Sequence, residues 1–158
     1  MAIATLFGPE MGLLTGNTGG NLQSLPAVTK VGARERTWAT TLALASQASG
    51  TTIGMVRLPM YSIITGITLV TDTSLGSATV ALGDSNNATA YMAAQTLTTT
   101  QVPQRVGLTA AHGQPITTGY DCTTGAKSTS YEDIVLTIGA AALPASGNLQ
   151  LVIEYAMD

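Results

Sequence analysis

From Thr37 onward, apolar residues tend to recur at every second position. In "TWATTLALA", Trp38, Leu42 and Leu44 fall at even spacing, the period-two mark of a half-buried strand, with Trp38 expected on the core side. "TIGMVRLPMY" predicts a short strand that Pro59 ends or pushes to a sheet edge, because proline cannot donate to a ladder. "SIITGITLVTDT" is the strongest strand pattern. Ile63, Ile67 and Leu69 share one face while Ile64 and Val70 occupy the other, which predicts a strand covered on both sides. "SATVALGD" alternates Ala78, Val80 and Leu82 and stops at the Gly83-Asp84 turn. "SNNATAYMAAQTLTTT" has a weak helical signal in its Ala and Met, but its Thr-rich flanks favour an extended path.

Residues 98–130 are rich in turn formers and read as long loops, which in a compact domain usually carry function or contact a partner. The pattern then returns. Ile134, Leu136 and Ile138 alternate, as do Leu149, Leu151, Ile153 and Tyr155, and "GAAALPASG" joins the two runs with Pro144 and Gly147 as turn residues. Short strands without a sustained helical period predict an all-β fold, an antiparallel β-sandwich. About eight strands with long connections make it jelly-roll-like. Residues 1–36 differ: "GPEMGLLTGNTGGNLQSLP" has turn formers and no sustained period, and "KVGARER" gathers Lys30, Arg34 and Arg36. The expected organisation is an extended N-terminal arm over 1–36 and a β-sandwich over 37–158. The three basic residues are candidates for partner binding.

Composition adds that this surface is short of charge. Only 9% of residues are charged, against about 25% in ordinary soluble domains. Surface charge is a main defence against association, so such a chain is expected to bury surface in a stable homo-oligomer. The net charge of −3 gives no basic footprint for nucleic acid and disfavours anionic membrane surfaces. No apolar run approaches the roughly 18 residues of a membrane span. The opening "MAIATLFGPEMGLL" has no basic stretch, so a secretory signal is not expected. The single cysteine, Cys122, cannot form a disulfide within its own chain, which fits a reducing cytoplasm.

Candidate chemistry is sparse. "GDSNN" at 83–87 matches the start of GDS-type esterases, but a serine nucleophile at Ser85 needs a histidine base oriented by a carboxylate. Thr109 stands where that aspartate would precede His112, the sole histidine, so a strand-end turn satisfying its own backbone is the stronger reading. "GYDCTTGAKST" misses the phosphate-loop spacing: Gly119 and Gly125 are one residue too far apart, and Ala126 precedes Lys127. Asp84, Asn86 and Asn87 offer oxygens to a cation but lack the later Gly and Glu of an EF-hand, and one His with one Cys makes no soft-metal site. The sequon at Asn87 has no use without a secretory route. Glu132 and Asp133 are adjacent strand residues, which point to opposite faces and read as a solvated strand entrance. Cys122 has no neighbouring base to activate it. No enzyme, metal or cofactor is expected.

"RTWATTLALASQASGTTIGMVRLPMYSIITGITLVTDT", "SATVALGDSNNATAYMAA" and "IVLTIGAAALPASGNLQLVIEY" together resemble small virion structural proteins of tailed bacteriophages, over roughly residues 34–156. The last segment looks like their closing hairpin. The resemblance implies a jelly-roll capsid decoration or cement protein on the virion surface. Its implied partners are the major capsid protein and sister copies, frequently as a homotrimer. It would be made in the host cytoplasm. An alternative is a tail- or fibre-associated module engaging host glycans, with Tyr120, Asp121 and Tyr131 as candidate sugar contacts in the long loops.

Overall fold

The computed structural model describes residues 34–107 and 109–157. Lys30 and nearly all of the expected arm lie outside them. The first strand already begins at Arg34, so Arg34 and Arg36 belong to a sheet, and the sandwich starts ahead of Thr37.

Ten antiparallel strands make up the described chain: β1 (Arg34–Ala43), β2 (Thr52–Pro59), β3 (Ile63–Thr71), β4 (Thr79–Gly83), β5 (Met92–Gln95), β6 (Gln104–Arg105), β7 (Gly119–Tyr120), β8 (Lys127–Ser128), β9 (Tyr131–Gly139) and β10 (Asn148–Met157). One sheet runs β1-β10-β3-β6, the second β2-β9-β4-β5, and β7-β8 form a separate hairpin. With that hairpin set aside, the two sheets hold the first, eighth, third and sixth strands and the second, seventh, fourth and fifth. This is the jelly-roll order of two interleaved Greek keys. The region expected to be loops thus contains three two-residue strands, β6, β7 and β8.

One apolar cluster lies between the sheets, fed from both: Ile67 and Leu69 of β3, Leu149, Leu151 and Ile153 of β10, Val80 and Leu82 of β4, Ile134, Leu136 and Ile138 of β9. All ten are essentially inaccessible to water. Each such side chain contributes about 1.5–3 kcal/mol of burial. The two runs that close the chain therefore each lie centrally in a sheet, but not in the same sheet. β9 pairs with β2 and β4, and β10 with β1 and β3. They are not a hairpin: the segment between them crosses from one sheet to the other, as the Greek-key path requires.

β3 departs from the expected two-faced strand. Its register against β10 shifts, with Gly66 opposite Glu154 but Ile64 opposite Tyr155, leaving Thr65 as an extra residue. A bulge inverts side-chain parity. Ile64 before it and Ile67 and Leu69 after it consequently all reach the same core, while Ile63 and Val70 are half-buried. Gly66, at the bulge, leaves a gap on the outer face. A Cβ there would collide with Arg105 Nη2 and Glu154 Oε2, whose ion pair spans β3 at 3.0 Å.

Candidate interaction surface

β1 and β2 are the outermost strands of their respective sheets, and they approach each other along one side of the sandwich. Trp38, expected in the core, is 45% exposed here. β1 keeps its alternation, with Leu42 half-buried and Leu44 buried, but it is an edge strand, and Trp38 in its middle has a neighbouring strand, β10, on one side only among the described residues. With Gly54, Met55, Arg57 and Cys122 it lines a shallow cavity of about 190 Å³.

Next to this side, a polar clasp fixes the β7–β8 hairpin over the second sheet. Arg57 and Asp133 are directly paired residues of β2 and β9. The guanidinium donates twice to the carboxylate, Nε to Oδ1 at 2.7 Å and Nη2 to Oδ2 at 2.8 Å. It also lies 3.8 Å from the centroid of the Tyr131 ring, a cation–π stack. The Tyr131 hydroxyl donates to Asp121 Oδ2 at 2.6 Å, and the Cys122 amide donates to Asp133 Oδ2 at 2.9 Å. Asp121 Oδ1 accepts from the Thr123 and Thr124 amides, closing the turn between β7 and β8.

These bonds set the charges. The Tyr131 hydroxyl, followed by the Thr124 and Thr123 amides, holds Asp121 down at about 2. The Arg57 fork holds Asp133 below the usual carboxylate range, and Asp133 in turn raises Arg57. Accepting the Tyr131 proton, Asp121 pushes the phenol up. Burial, reinforced by Asp133, raises the Cys122 thiol, the wrong direction for a nucleophile. Its sulfur docks against β2, where a Cβ on Gly54 would lie 2.8 Å away.

Glu132 and Asp133 point to opposite faces as expected, but they are not a solvated strand entrance: both are buried. Glu132 has the same parity as Ile134, Leu136 and Ile138, and so enters the end of the core. Its Oε2 accepts the Tyr120 amide, and its Oε1 has no hydrogen-bond partner among the described residues. Burial raises it to about 7 against the pull of the Tyr120 amide, with Asp84 and Asp133 adding to the rise. Burial also raises Tyr91, with Glu132 contributing. A buried carboxyl at the head of an apolar run, preceded by a polar loop, gives no signal in a strand pattern.

The other candidates fall apart or resolve into turns. Asp84 Oδ1 accepts the amides of Asn86 and Asn87, both at 2.6 Å, and the Asp84 amide donates to Asn87 O. "GDSNN" is thus the self-satisfied turn that its residues predict. Ser85 Oγ donates to Asp121 O, whereas His112 Nδ1 accepts the Thr109 amide, and burial lowers the imidazole pKa. The two are not joined. Among the described residues no cluster of three or more His, Cys, Asp or Glu could hold a metal. Two of the three candidate sugar contacts are engaged internally: Asp121 and Tyr131 hold each other, and Arg57 covers one face of the Tyr131 ring, while Tyr120 bonds through its backbone amide to Glu132. Of the three basic residues, Arg36 is exposed on β1 and Arg34 starts that strand.

No family model matches this sequence, and no curated protein does. Solved structures do. The fold is similar to a chain of the cyanophage Pam1 capsid asymmetric unit, with a TM-score of 0.58 and 17% identity, over 80% of this chain and 87% of that one. It is also similar to a chain of the capsid of Ralstonia phage GP4, with a TM-score of 0.56 and 15% identity, over 79% of this chain and 85% of that one. At such identities the likeness is one of fold: a jelly-roll sandwich of the same class.

Proposed function

We propose that this chain is a structural protein of a bacteriophage virion, and specifically a decoration or cement protein bound to the major capsid lattice on the outside of the head. The observation that carries the reading is the likeness in fold, over some four fifths of the chain, to chains of two phage capsids. A charge-poor surface and a polar clasp that consumes its own acids and bases add to it. Its mechanism is binding energy. Packaged DNA presses capsid subunits apart, and a clamp across their seams raises the work needed to separate them. A symmetric oligomer touching several capsid copies at once turns modest contacts into strong ones through effective concentration.

In this reading residues 1–36, with Lys30, Arg34 and Arg36, contribute to capsid attachment or to exchange between sister copies. Imaging of purified particles at subunit resolution tests it, with density for this sandwich expected over the lattice. Particles that lack the protein, or carry it only on the tail, overturn the assignment. Deleting residues 2–30 is expected to weaken particle binding while the far-ultraviolet spectrum keeps its β signature. Normal decoration by the truncated protein rejects the role of the arm.

A further inference from the structure

Of the four edge strands of the two four-stranded sheets, three are blunted in ways that discourage pairing. β6 has two residues and β5 four, while β2 is broken by a register shift at Met55, carries Arg57 and ends at Pro59. β1 has no register break and no proline, and its charges are confined to its first three residues, Arg34, Glu35 and Arg36. It is ten residues long and pairs with β10 without a break in register. From Thr37 to Ala43 it has no charge and no proline, and among the described residues no strand covers its outer side. A long edge of unpaired amides and carbonyls with an exposed tryptophan on it is a template for another strand.

We propose that the occupant is β1 of a second copy, paired antiparallel about a two-fold axis at Ala39. The charge pattern selects a sister strand. In this register Ala39 opposes itself, Trp38 opposes Thr40, and Thr37 opposes Thr41. Glu35 and Arg36 meet Ala43 and Leu42, so no like charges face each other. The two Trp38 side chains become diagonal neighbours, within reach of one another across the axis. Sliding the axis to Arg36 would set that arginine against itself. The product is one continuous eight-stranded sheet, β6-β3-β10-β1 followed by the same order reversed. The pairing rests on the proposed decoration role, for which it supplies the symmetric oligomer, and it replaces the three-fold association that the sequence resemblance implies with a two-fold one.

The test uses the full chain with Cys122→Ser, so that no other thiol competes. Facing residues in an antiparallel pair have Cα atoms about 4.5–5.5 Å apart, inside the disulfide range. Ala39→Cys in that background is expected to oxidise to a covalent dimer, whereas Glu35→Cys, far from the axis, is not. The native chain is expected to sediment at twice its 16.1 kDa mass, and Ala39→Lys at the single mass with an unchanged far-ultraviolet spectrum. A native mass of one or three copies overturns the pairing, as does equal cross-linking from Glu35→Cys. If Ala39→Cys cross-links only after residues 2–33 are deleted, those residues fill the edge, and the proposal is equally overturned. Decoration is read separately. Particles that still carry the Ala39→Lys protein keep the decoration role, whereas a dimer that never appears on particles rejects that role alone.

Discussion

Arg57 reaches across from β2 and closes both oxygens of Asp133 in a fork of 2.7 and 2.8 Å. The exposure of the two partners differs sharply, with 52% for the arginine side chain and 4% for the aspartate. Arg57 acts as the lid on a buried carboxylate. Removing the lid leaves Asp133 with the Cys122 amide as its other partner. Arg57→Ala is therefore expected to destabilise the fold by more than the loss of an exposed ion pair would, because the buried Asp133 carboxylate loses its counterion. Asp133→Asn should cost a similar amount, and the double variant less than the sum. Urea unfolding of the three variants checks this, and strict additivity would break the lid argument.

The carboxyl beside it behaves in the opposite sense. Glu132 is raised to about 7 from an ordinary 4.5, chiefly by burial. Between those values the folded chain keeps a proton that the unfolded chain has released. The contribution of Glu132 to stability is thus greatest below about pH 4.5 and declines as pH rises to 7. Asp121, lowered to about 2, contributes stability above the unfolded carboxylate range that is lost as pH falls through its folded value. Groups around Glu132 are the Tyr120 amide, Tyr91, Asp84 and Asp133, and both aspartates oppose its ionisation. Glu132→Gln should raise stability at pH 8 by on the order of 2 kcal/mol and leave it nearly unchanged at pH 4. Thermal melts across that range decide, and equal effects at both ends would place the Glu132 charge in solvent.

Most strand positions were legible because one side of each strand meets a single core, so period two survives in Ile134–Leu136–Ile138 and Leu149–Leu151–Ile153. What pairs with what was not legible. The last two strands look like a hairpin in sequence, since loop length alone does not say whether a connection turns back or crosses between sheets. The bulge at Thr65 was hidden for a related reason. It places Ile64 and Ile67 on one face, and in a linear pattern this looks like a strand with two apolar faces. Trp38 and Glu132 were misplaced by residue type, a tryptophan assigned to the core and a carboxylate to water. Place in the sheet decided both, one on an edge strand and the other at the core end of a central one.

That bulge also makes a specific demand on Gly66. The Arg105–Glu154 ion pair passes over it, joining β6 to β10 across β3, and a methyl group there would have to push both side-chain ends aside. Gly66→Ala is expected to cost about 1–2 kcal/mol, through displacement of the pair and disturbance of the bulge. Arg105→Ala, which removes an exposed ion pair without forcing anything aside, should cost under about 1 kcal/mol. Restored stability in the double variant Gly66→Ala, Arg105→Ala would show that crowding is the cause. A Gly66→Ala penalty that persists undiminished even when Glu154→Ala is added would place the cause in the backbone.

Trp38 separates folding from association. At 45% exposure it gives the sandwich only part of its burial, whereas Leu151 is fully enclosed. Leu151→Ala is expected to cost about 3–4 kcal/mol, from lost transfer energy and the cavity left behind. Trp38→Ala should cost the single subunit under about 1 kcal/mol yet weaken self-association at least tenfold, since an exposed aromatic near the centre of an interface carries a large share of its binding energy. Denaturant unfolding at low protein concentration reads the first quantity, and sedimentation over a concentration series reads the second. If Trp38→Ala lowered subunit stability as much as Leu151→Ala and left the association constant unchanged, Trp38 would be an ordinary packing residue, and the open side of β1 would lose its anchor.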